Sequence, residues 1–401
     1  MAEYRPVPDD READFRSIAR YAFEAPTGPH DPEEPLEERR ERMHSFGESR
    51  GMFDGEELLV VCHHIPFTVR VRGSSLSMGG VSAVASPPEN RRRGLVGELL
   101  SESLAEYRDR GWPIAALHPF DEGFYARYGW ATGCRRHVAT VDVDALAGTQ
   151  DAAAGSFRRV EPSAAAETLD GVFASWLEGY QLATDRGEDW WRDRVFQTGR
   201  SELYGYAWER DGEPRGYVVY EIDAGDDGRT LETYEFAHVD HEAYLNLLRF
   251  CHDHDSQVER VELHGPAHDR LLDVVADRNA VDVEVASGQM VRIVDVPLAL
   301  SAIEYDGVDD ARVTVAVADD HAPWNEATFE VTVADGTASV AETDAEPDAT
   351  VDVGTLSQLF VGHHSVEAAR QLGGLEVEDR ATAATLESMF PERAVFLPEG
   401  F

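Results

Sequence analysis

The chain has 401 residues, and its 77 aspartates and glutamates against 36 basic residues, all of them arginine, give a formal net charge of −41. Such acidity disfavours binding to nucleic acid or anionic membranes, and it indicates a halophilic cytoplasm, where salt screens repulsion between like charges. The absence of lysine excludes Schiff-base chemistry and a lysine-containing phosphate loop.

The length exceeds what one hydrophobic core usually supports, so we expect two or three domains. Residues 1–145 mix strands, glycine turns and helices, residues 156–293 hold most of the tryptophans, and residues 294–401 begin with strands and end in helices. The small polar residues Ala145–Gly155 are typical of a linker. These patterns predict α/β and α+β domains with mixed sheets. No run is long and apolar enough for a membrane helix, and no signal peptide is recognisable, which predicts a cytoplasmic protein.

A strand-to-helix turn carries the first chemical signal. Residues Val81–Ser86 alternate like a strand, two prolines end it, and leucines at helical spacing begin at Leu95. Free backbone N–H groups at a helix start bind pyrophosphate, and arginines add charge-assisted contacts. The alternative is an exposed arginine cluster that opens an ordinary surface helix. The residues at the turn are Arg91, Arg92, Arg93 and Gly94.

The next predicted strand, Pro113–His118, leads into the aromatic-rich segment Phe120–Trp130. A phenol with a pKa of about 10 is suited to donate a proton to a departing thiolate. Tyr125 is the candidate general acid, and Tyr128 is the weaker candidate. The alternative for Tyr125 is a core aromatic residue whose hydroxyl is capped.

These motifs resemble those of the GNAT family of N-acetyltransferases. The turn resembles the family's R-x-x-G-x-G/A pyrophosphate loop at Arg91 and Gly94, and it departs from that pattern at Val96. The whole chain resembles more closely the enhanced intracellular survival (Eis) type, which joins two acetyltransferase domains, the second degenerate, to a domain related to sterol carrier proteins. The matching segments are Val84–Leu95, Ala115–His118, Gly123–Gly129 and Asp352–Gly362, together with the ending at Phe401.

The resemblance implies tandem GNAT domains at residues 1–145 and 156–293 and a sterol-carrier-like domain at 294–401. It implies acetyl-CoA as cosubstrate, no metal, and a small-molecule amine as acceptor, such as a polyamine or an aminoglycoside-like compound. It also implies a homo-oligomer, with a hexamer as the family precedent. The coenzyme-binding residues that it implies are Val84, Ala85, Ser86, Arg91, Arg92, Arg93, Gly94, Leu95, Val96, Gly97, Phe120 and Asp121.

The resemblance also implies the catalytic pair. Tyr125 is the general acid, and the α-carboxylate of Phe401 reaches back into the first domain as the base. Burial raises the pKa of a carboxylate and so makes it a stronger base. A backbone N–H near Val84 or Ala85 is the expected oxyanion donor. The alternative for Phe401 is an ordinary exposed chain end.

The second segment repeats the strand–helix–strand order without the chemistry. Asp240 and Glu242 stand where a strand turns into a helix, and their charges repel a pyrophosphate, so we expect no coenzyme there. Its expected role is to wall the acceptor cleft. The histidine pairs at 63–64, 252 and 254, and 363–364 lack the spacing of a metal site, and the three cysteines predict no disulfide framework.

The acceptor pocket has weaker signals. By resemblance, Tyr21, Phe23 and Glu24 lie at this pocket. The acidic stretch Asp31–Glu41 is interpreted as a solvated face or, alternatively, as a lid that attracts cationic acceptors.

Two classes of function follow. The first is an enzyme that acetylates an amine, with protein N-acetylation as a minor variant. The second is a binding protein that holds coenzyme A or an apolar ligand on a non-catalytic acetyltransferase fold. The arginine turn and Tyr125 together favour the enzyme.

Overall fold

The residues that the structure describes form three β-sheets, of eight, seven and five strands. No helix among the residues that the structure describes is long and apolar enough to cross a membrane. The acidic stretch Asp31–Glu41 and residues 150–154 of the predicted linker lie outside the described residues. The computed structural model describes residues 2–24, 26, 46–149, 155–197, 203–225, 228–266 and 270–401.

The first sheet is built around two long strands, of which Glu57–Val71 is buried along most of its length and Ser74–Ala85 along half. Its members are β1 (Glu3–Pro6), β2 (Glu48–Asp54), β3 (Glu57–Val71), β4 (Ser74–Ala85), β5 (Ile114–Leu117), β6 (Ala131–Thr132), β9 (Ala183–Thr184) and β15 (Met290–Ile293). Their spatial order is β1-β2-β3-β4-β5-β15-β6, and β9 pairs with β3. Only β4 and β5 pair in parallel.

Helices cover this sheet at defined places. Helix α1 (Glu12–Phe23) contacts β3 and β4. Helix α2 (Leu95–Asp109) begins where the leucine spacing predicts, and it buries Leu99, Leu104 and Tyr107 against the sheet. The short helix α3 (Glu122–Ala126) follows β5.

The second sheet repeats this layout. Its strands are β7 (Arg135–Asp142), β8 (Ser156–Val160), β10 (Tyr204–Arg210), β11 (Glu213–Gly225), β12 (Gly228–His238), β13 (Arg260–Gly265) and β14 (Val281–Ser287). Their spatial order is β14-β7-β13-β12-β11-β10-β8, with β12 and β13 parallel. Its helices are α4 (Ala165–Trp176), α5 (His241–His252) and α6 (Leu271–Val274), together with the turn Glu188–Trp190, which continues as the π-helix Trp191–Val195.

The first two sheets exchange strands. Strand β7 precedes the predicted linker at Ala145, yet it lies in the second sheet between β13 and β14. Conversely, β15 ends the second segment and lies in the first sheet between β5 and β6. The predicted limits 1–145 and 156–293 therefore divide the chain but not the sheets. The periodicity of apolar residues indicates where a strand lies, whereas the strand with which it pairs depends on residues that are distant in the chain.

The third sheet has the order β18-β17-β16-β19-β20. The helical region between Val353 and Gln371 is two helices, because Gly362 ends the first of them with a left-handed φ of +86°. The elements are α7 (Val296–Ser301), β16 (Asp310–Ala318), β17 (Ala327–Ala334), β18 (Thr337–Glu342), β19 (Ala349–Asp352), α8 (Val353–Val361), α9 (Val366–Gln371), β20 (Leu375–Glu376) and α10 (Arg380–Met389).

Two buried arginines of the first sheet hold the third domain against it. Arg72 lies in the turn between β3 and β4. It donates to the carbonyls of Leu359 and Phe360, among the last carbonyls of α8, at 2.8 Å each. A cation at a helix C-terminus is favourable because the helix dipole is negative there. Arg292 of β15 donates to Asp319 Oδ1 at 2.7 Å, with both side chains almost fully buried.

Candidate active site

The site centres on the place where β4 and β5 separate. Their parallel pairing ends at Val81 opposite Leu117, although β4 continues to Ala85. The backbone of β4 beyond Val81 therefore has no partner strand on that side. An open strand edge of this kind accepts an extended ligand through backbone hydrogen bonds.

A β-bulge in β4 lies at this opening. Between the pairs Val61–Ala85 and His63–Ser82, β4 contains one residue more than β3. Ala83, inside the bulge, has a left-handed φ of +50°. A bulge re-aims neighbouring backbone groups. The predicted backbone contacts of Val84 and Ala85 thus fall on a segment with irregular pairing.

Helix α2 begins with N–H groups that no side chain caps. Gly94 occupies the N-cap position with φ +83°, where a side chain would be strained. Leu95 is buried in the core, and a Cβ on Gly97 would lie 2.7 Å from Tyr128 Cε1. Leu95, Val96 and Gly97 can therefore meet a phosphate through the backbone, while Gly97 also permits Tyr128 to pack closely.

The three arginines of the turn are exposed, but two of them brace the loop. Arg91 Nε donates to the Ser86 carbonyl at 3.1 Å, and Arg93 donates to Asn90 Oδ1 at 2.6 Å. Asn90 is buried and donates to a carbonyl of β3, so it anchors the loop, a role that sequence reasoning missed. Arg92, with φ +60°, has no such partner within the described residues. The loop presents a concentrated positive charge in an acidic protein.

Tyr125 lies on α3 and belongs to the same apolar cluster as Val81 and Leu117, the last paired residues of β4 and β5. It is 3% exposed, and burial, with a smaller effect of Cys62, raises the pKa of Tyr125 above its usual range. Among the described residues, its hydroxyl has no hydrogen-bond partner. The capped-hydroxyl alternative therefore lacks a capping group in this part of the chain.

The other predicted residues of this segment have defined roles. Asp121 caps α3, because its Oδ1 accepts from the Phe124 N–H at 2.8 Å. Its carboxylate thus serves the helix that carries Tyr125. Phe120 is 70% exposed, and its ring lies 5.5 Å from that of Tyr125. Tyr128 contacts His321 of the third domain, with ring centroids 4.9 Å apart.

The last residue of the chain lies against the first domain. The Phe401 ring packs on Phe67 of β3 and on Gly80 of β4, where a Cβ would lie 3.1 Å from Phe401 Cε2. A Cβ on Gly79 would point toward Tyr107 of α2, and consecutive residues of a strand face opposite sides of the sheet. Phe401 thus covers the face of β4 opposite to α2.

A buried polar network lies between β3 and α2. Ser103 donates its hydroxyl proton to the Leu99 carbonyl at 2.7 Å, so His64 Nε2, 3.0 Å from Ser103 Oγ, must be the donor in that contact. Burial lowers the pKa of His64 to about 3 and raises the pKa of the neighbouring Cys62 thiol to about 12. A thiol with so high a pKa is a poor nucleophile.

The second domain differs at the equivalent turn. Asp240 caps α5, where its Oδ1 accepts from the Ala243 N–H at 2.8 Å, and Arg215 binds the same carboxylate. An aspartate therefore occupies the helix start that a pyrophosphate would need. That the second domain holds no coenzyme stays a prediction, which is argued from this aspartate.

One cluster of possible metal ligands occurs within the described residues, formed by Glu232, Glu262 and His264 on adjacent strands. His264 Nδ1 lies 2.8 Å from Arg136 Nη2, and its Nε2 lies 2.6 Å from Glu262 Oε1. Arginine only donates, so the ring proton lies on Nε2 and points to Glu262. Nε2 thus carries the proton, and the lone pair of Nδ1 accepts from Arg136. In this arrangement neither ring nitrogen is free to bind a metal.

The core of the third domain is filled. Its cavity measures about 10 Å³. A single water needs roughly 10–15 Å³, so the cavity has no room for a lipid chain. The residues that line it are apolar: Val296, Leu300, Val313, Val315, Val317, Phe329, Val331, Val351, Leu356, Leu359, Leu375, Leu386 and Phe390.

Three protein-family models match successive parts of the chain. Models described as an acetyltransferase (GNAT) domain match residues 3–133 and again residues 182–293. A sterol carrier protein domain model matches residues 296–398.

The chain is also similar to curated proteins along most of its length. The N-acetyltransferase Eis of Mycobacterium tuberculosis is 26% identical over 353 residues, which are 85% of each chain. An uncharacterised N-acetyltransferase of Streptomyces avermitilis is 26% identical over 370 residues, which are 88% of this chain and 89% of the relative.

Solved structures share the fold over the whole chain. A probable N-acyltransferase of Enterococcus faecalis superimposes with a TM-score of 0.86 at 24% identity, and Eis1 of Mycobacterium abscessus with a TM-score of 0.76 at 22% identity. Both alignments cover all of both chains.

Proposed function

The chain is an Eis-like GNAT N-acetyltransferase with a C-terminal sterol carrier domain, and from this premise we propose that its first domain transfers an acetyl group from acetyl-CoA to a small-molecule amine. Tyr125 is the general acid and the Phe401 carboxylate is the base. The observation that carries the proposal is the docking of Phe401 on β4, the strand that parts from β5 beside Tyr125. A polyamine or an aminoglycoside-like compound is the proposed acceptor.

The residues of the opening fit acetyl-CoA. GNAT acetyltransferases use this cosubstrate, which supplies the acetyl group as a thioester. The unpaired edge of β4 from Ser82 to Ala85, with the following Ser86, offers backbone groups to an extended pantetheine arm. The uncapped start of α2 and the arginines beside Gly94 offer N–H groups and positive charge to a pyrophosphate.

The proposed proton transfers use the terminal carboxylate of Phe401 and the hydroxyl of Tyr125. The Phe401 carboxylate accepts a proton from the ammonium of the acceptor, and the resulting amine attacks the thioester carbonyl. A backbone N–H of Val84 or Ala85 stabilises the developing oxyanion. The Tyr125 hydroxyl donates its proton to the departing sulfur, and the proton that the nitrogen loses on forming the amide restores the hydroxyl. Its raised pKa keeps this hydroxyl protonated at neutral pH.

The filled third domain weakens the binding-protein alternative. A cavity of about 10 Å³ offers an apolar ligand no space. The proposed role of this domain is to carry the C-terminal segment back to the first domain.

The proposal extends to the setting of the enzyme. The charge of −41 supports a halophilic host, and a cytoplasmic enzyme would have access to acetyl-CoA. Self-association, with a hexamer as family precedent, is supported by the outer strand β14, where Val283 and Val285 are about half exposed.

The test is thiol release from acetyl-CoA in high salt with a panel of amines. We expect amine-dependent release by the wild type and a loss of roughly 10²–10⁴-fold in Tyr125→Phe and in a chain without Phe401. Tyr128→Phe is the matched control. Tight coenzyme binding without release for any amine would overturn the enzyme and favour the binding protein.

A further inference from the structure

The end of the chain is held by a buried ionic contact with the second domain. Glu399 is 4% exposed, and its carboxylate accepts three hydrogen bonds from the second segment. Arg186 Nε and Thr184 Oγ1 each donate to Oε1 at 2.7 Å, and Trp190 Nε1 donates to Oε2 at 2.7 Å.

Arg186 is itself fixed. Its guanidinium binds Glu235 through both terminal nitrogens, and Glu235 also accepts from the Tyr217 hydroxyl at 2.6 Å. The guanidinium carbon lies 3.9 Å from the ring centroid of Phe173 and 4.7 Å from that of Trp191. A guanidinium clamped between two aromatic rings and a bidentate carboxylate has little freedom to move.

The next residues are anchored one after another. Gln289 Nε2 donates to the Glu399 carbonyl at 2.6 Å, and Arg194 donates to the Gly400 carbonyl at 2.7 Å. The Phe401 ring then packs on Phe67. Only Gly400 separates Glu399 from the last residue, and a Cβ on Gly400 would meet no other atom within 4 Å. The position of the chain end therefore depends on the anchors around it.

We propose that Arg186 is a positioning residue, which holds Glu399 so that the terminal carboxylate of Phe401 is presented to the acceptor amine. This gives the second GNAT domain a function in the reaction of the first. The inference rests on the proposed role of Phe401 as the base.

The chemistry of the contact explains the requirement for a carboxylate. Arg186, Thr184 and Trp190 all donate to Glu399. A glutamine in its place would turn an N–H₂ group toward at least one of these donors. Burying two donors against each other costs free energy, so Glu399→Gln releases the segment although it hardly changes its volume.

The test uses the full-length chain and the substitutions Glu399→Gln and Arg186→Lys. Carboxypeptidase release of Phe401 reports the freedom of the chain end, and steady-state kinetics report catalysis. We expect release at least tenfold faster than in the wild type and kcat at least tenfold lower. The KM for acetyl-CoA should change less than twofold, since the coenzyme residues lie on other elements.

The matched control is Glu209→Gln, which removes a carboxylate that pairs with Arg158 on the second sheet, away from the chain end. Both readouts should stay at wild-type values in this variant. Unchanged release of Phe401 in Glu399→Gln would overturn the positioning role. Faster release with unchanged kcat would also overturn it. The activity of a chain without Phe401 then shows whether the proposed base or the proposed anchor is at fault. Full activity of that chain would refute the proposed base, whereas its inactivity would mean that the anchor is dispensable.

Discussion

The ring of Phe401, the last residue, lies 4.9 Å from the ring of Phe67 in β3 of the first domain. Both rings cover Gly80, the residue of β4 that precedes Val81. The end of the third domain thus forms part of the surface beside the candidate coenzyme site. This contact makes the third domain part of the candidate site.

Replacement of Gly80 tests this packing. In Gly80→Ala the new Cβ would lie 2.6 Å from Phe67 Cε2 and 3.1 Å from Phe401 Cε2, so one of the rings must move. We expect at least a tenfold loss of kcat, since a displacement of about 1 Å can cost roughly 10²-fold. Gly79→Ala is the control, because its Cβ meets Tyr107 on the other face. Both variants should lose stability, but only Gly80→Ala should speed carboxypeptidase release of Phe401.

Extension of the chain by one glycine tests the terminal carboxylate. The extension converts the carboxylate of Phe401 into an amide, which is no base, while the aromatic ring is kept. We expect kcat to fall by roughly 10²–10⁴-fold. Phe401→Leu keeps the carboxylate and should retain most activity. Equal kcat for the extended chain and the wild type would rule out this carboxylate as the base.

The arginine turn gives a prediction about coenzyme affinity. Arg92→Ala removes an exposed positive charge beside the start of α2, so we expect the Kd for acetyl-CoA to rise about tenfold at low salt. The difference should shrink as salt is added, because salt screens exposed charges. Arg159→Ala, an exposed arginine on β8, is the control and should leave the Kd unchanged. Isothermal titration with acetyl-CoA, without an acceptor amine, provides the measurement.

Tyr125 gives a prediction about pH dependence. A general acid must be protonated, and burial raises the pKa of Tyr125 above its usual value of 10.0. Activity should therefore not decline through loss of this proton anywhere below pH 10. Measurement of kcat from pH 6 to 10 checks this. A decline in this range that Tyr125→Phe abolishes would contradict the raised pKa.

Local signals predicted the strand, turn and helix around Gly94 and the short strand that precedes the segment with Tyr125. Proline, glycine and leucine spacing act within a few residues, so the sequence exposes them. The bulge at Ala83 has no such signal, because it depends on the pairing of β4 with β3. The contact of Arg186 with Glu399 joins residues 213 positions apart, and the exchange of β7 and β15 joins different segments. Such contacts depend on the folded chain as a whole. The sequence contains Arg186 and Glu399 but does not indicate that they pair.

The buried His64 predicts how stability depends on pH. Burial lowers its pKa to about 3, against 6.5 in the unfolded chain, so the unfolded state binds a proton that the folded state refuses. The stability due to the neutral ring is complete above pH 6.5 and is lost as pH falls toward 3. At pH 4 the loss amounts to about 3 kcal/mol. His64→Gln keeps a donor for Ser103 and stays neutral, so its free energy of unfolding should fall less between pH 7 and 4. Denaturant titrations at both pH values measure this, with exposed His241→Gln as control. Equal losses in wild type and His64→Gln would mean that His64 is protonated in the fold, paired with Glu106 at 3.8 Å.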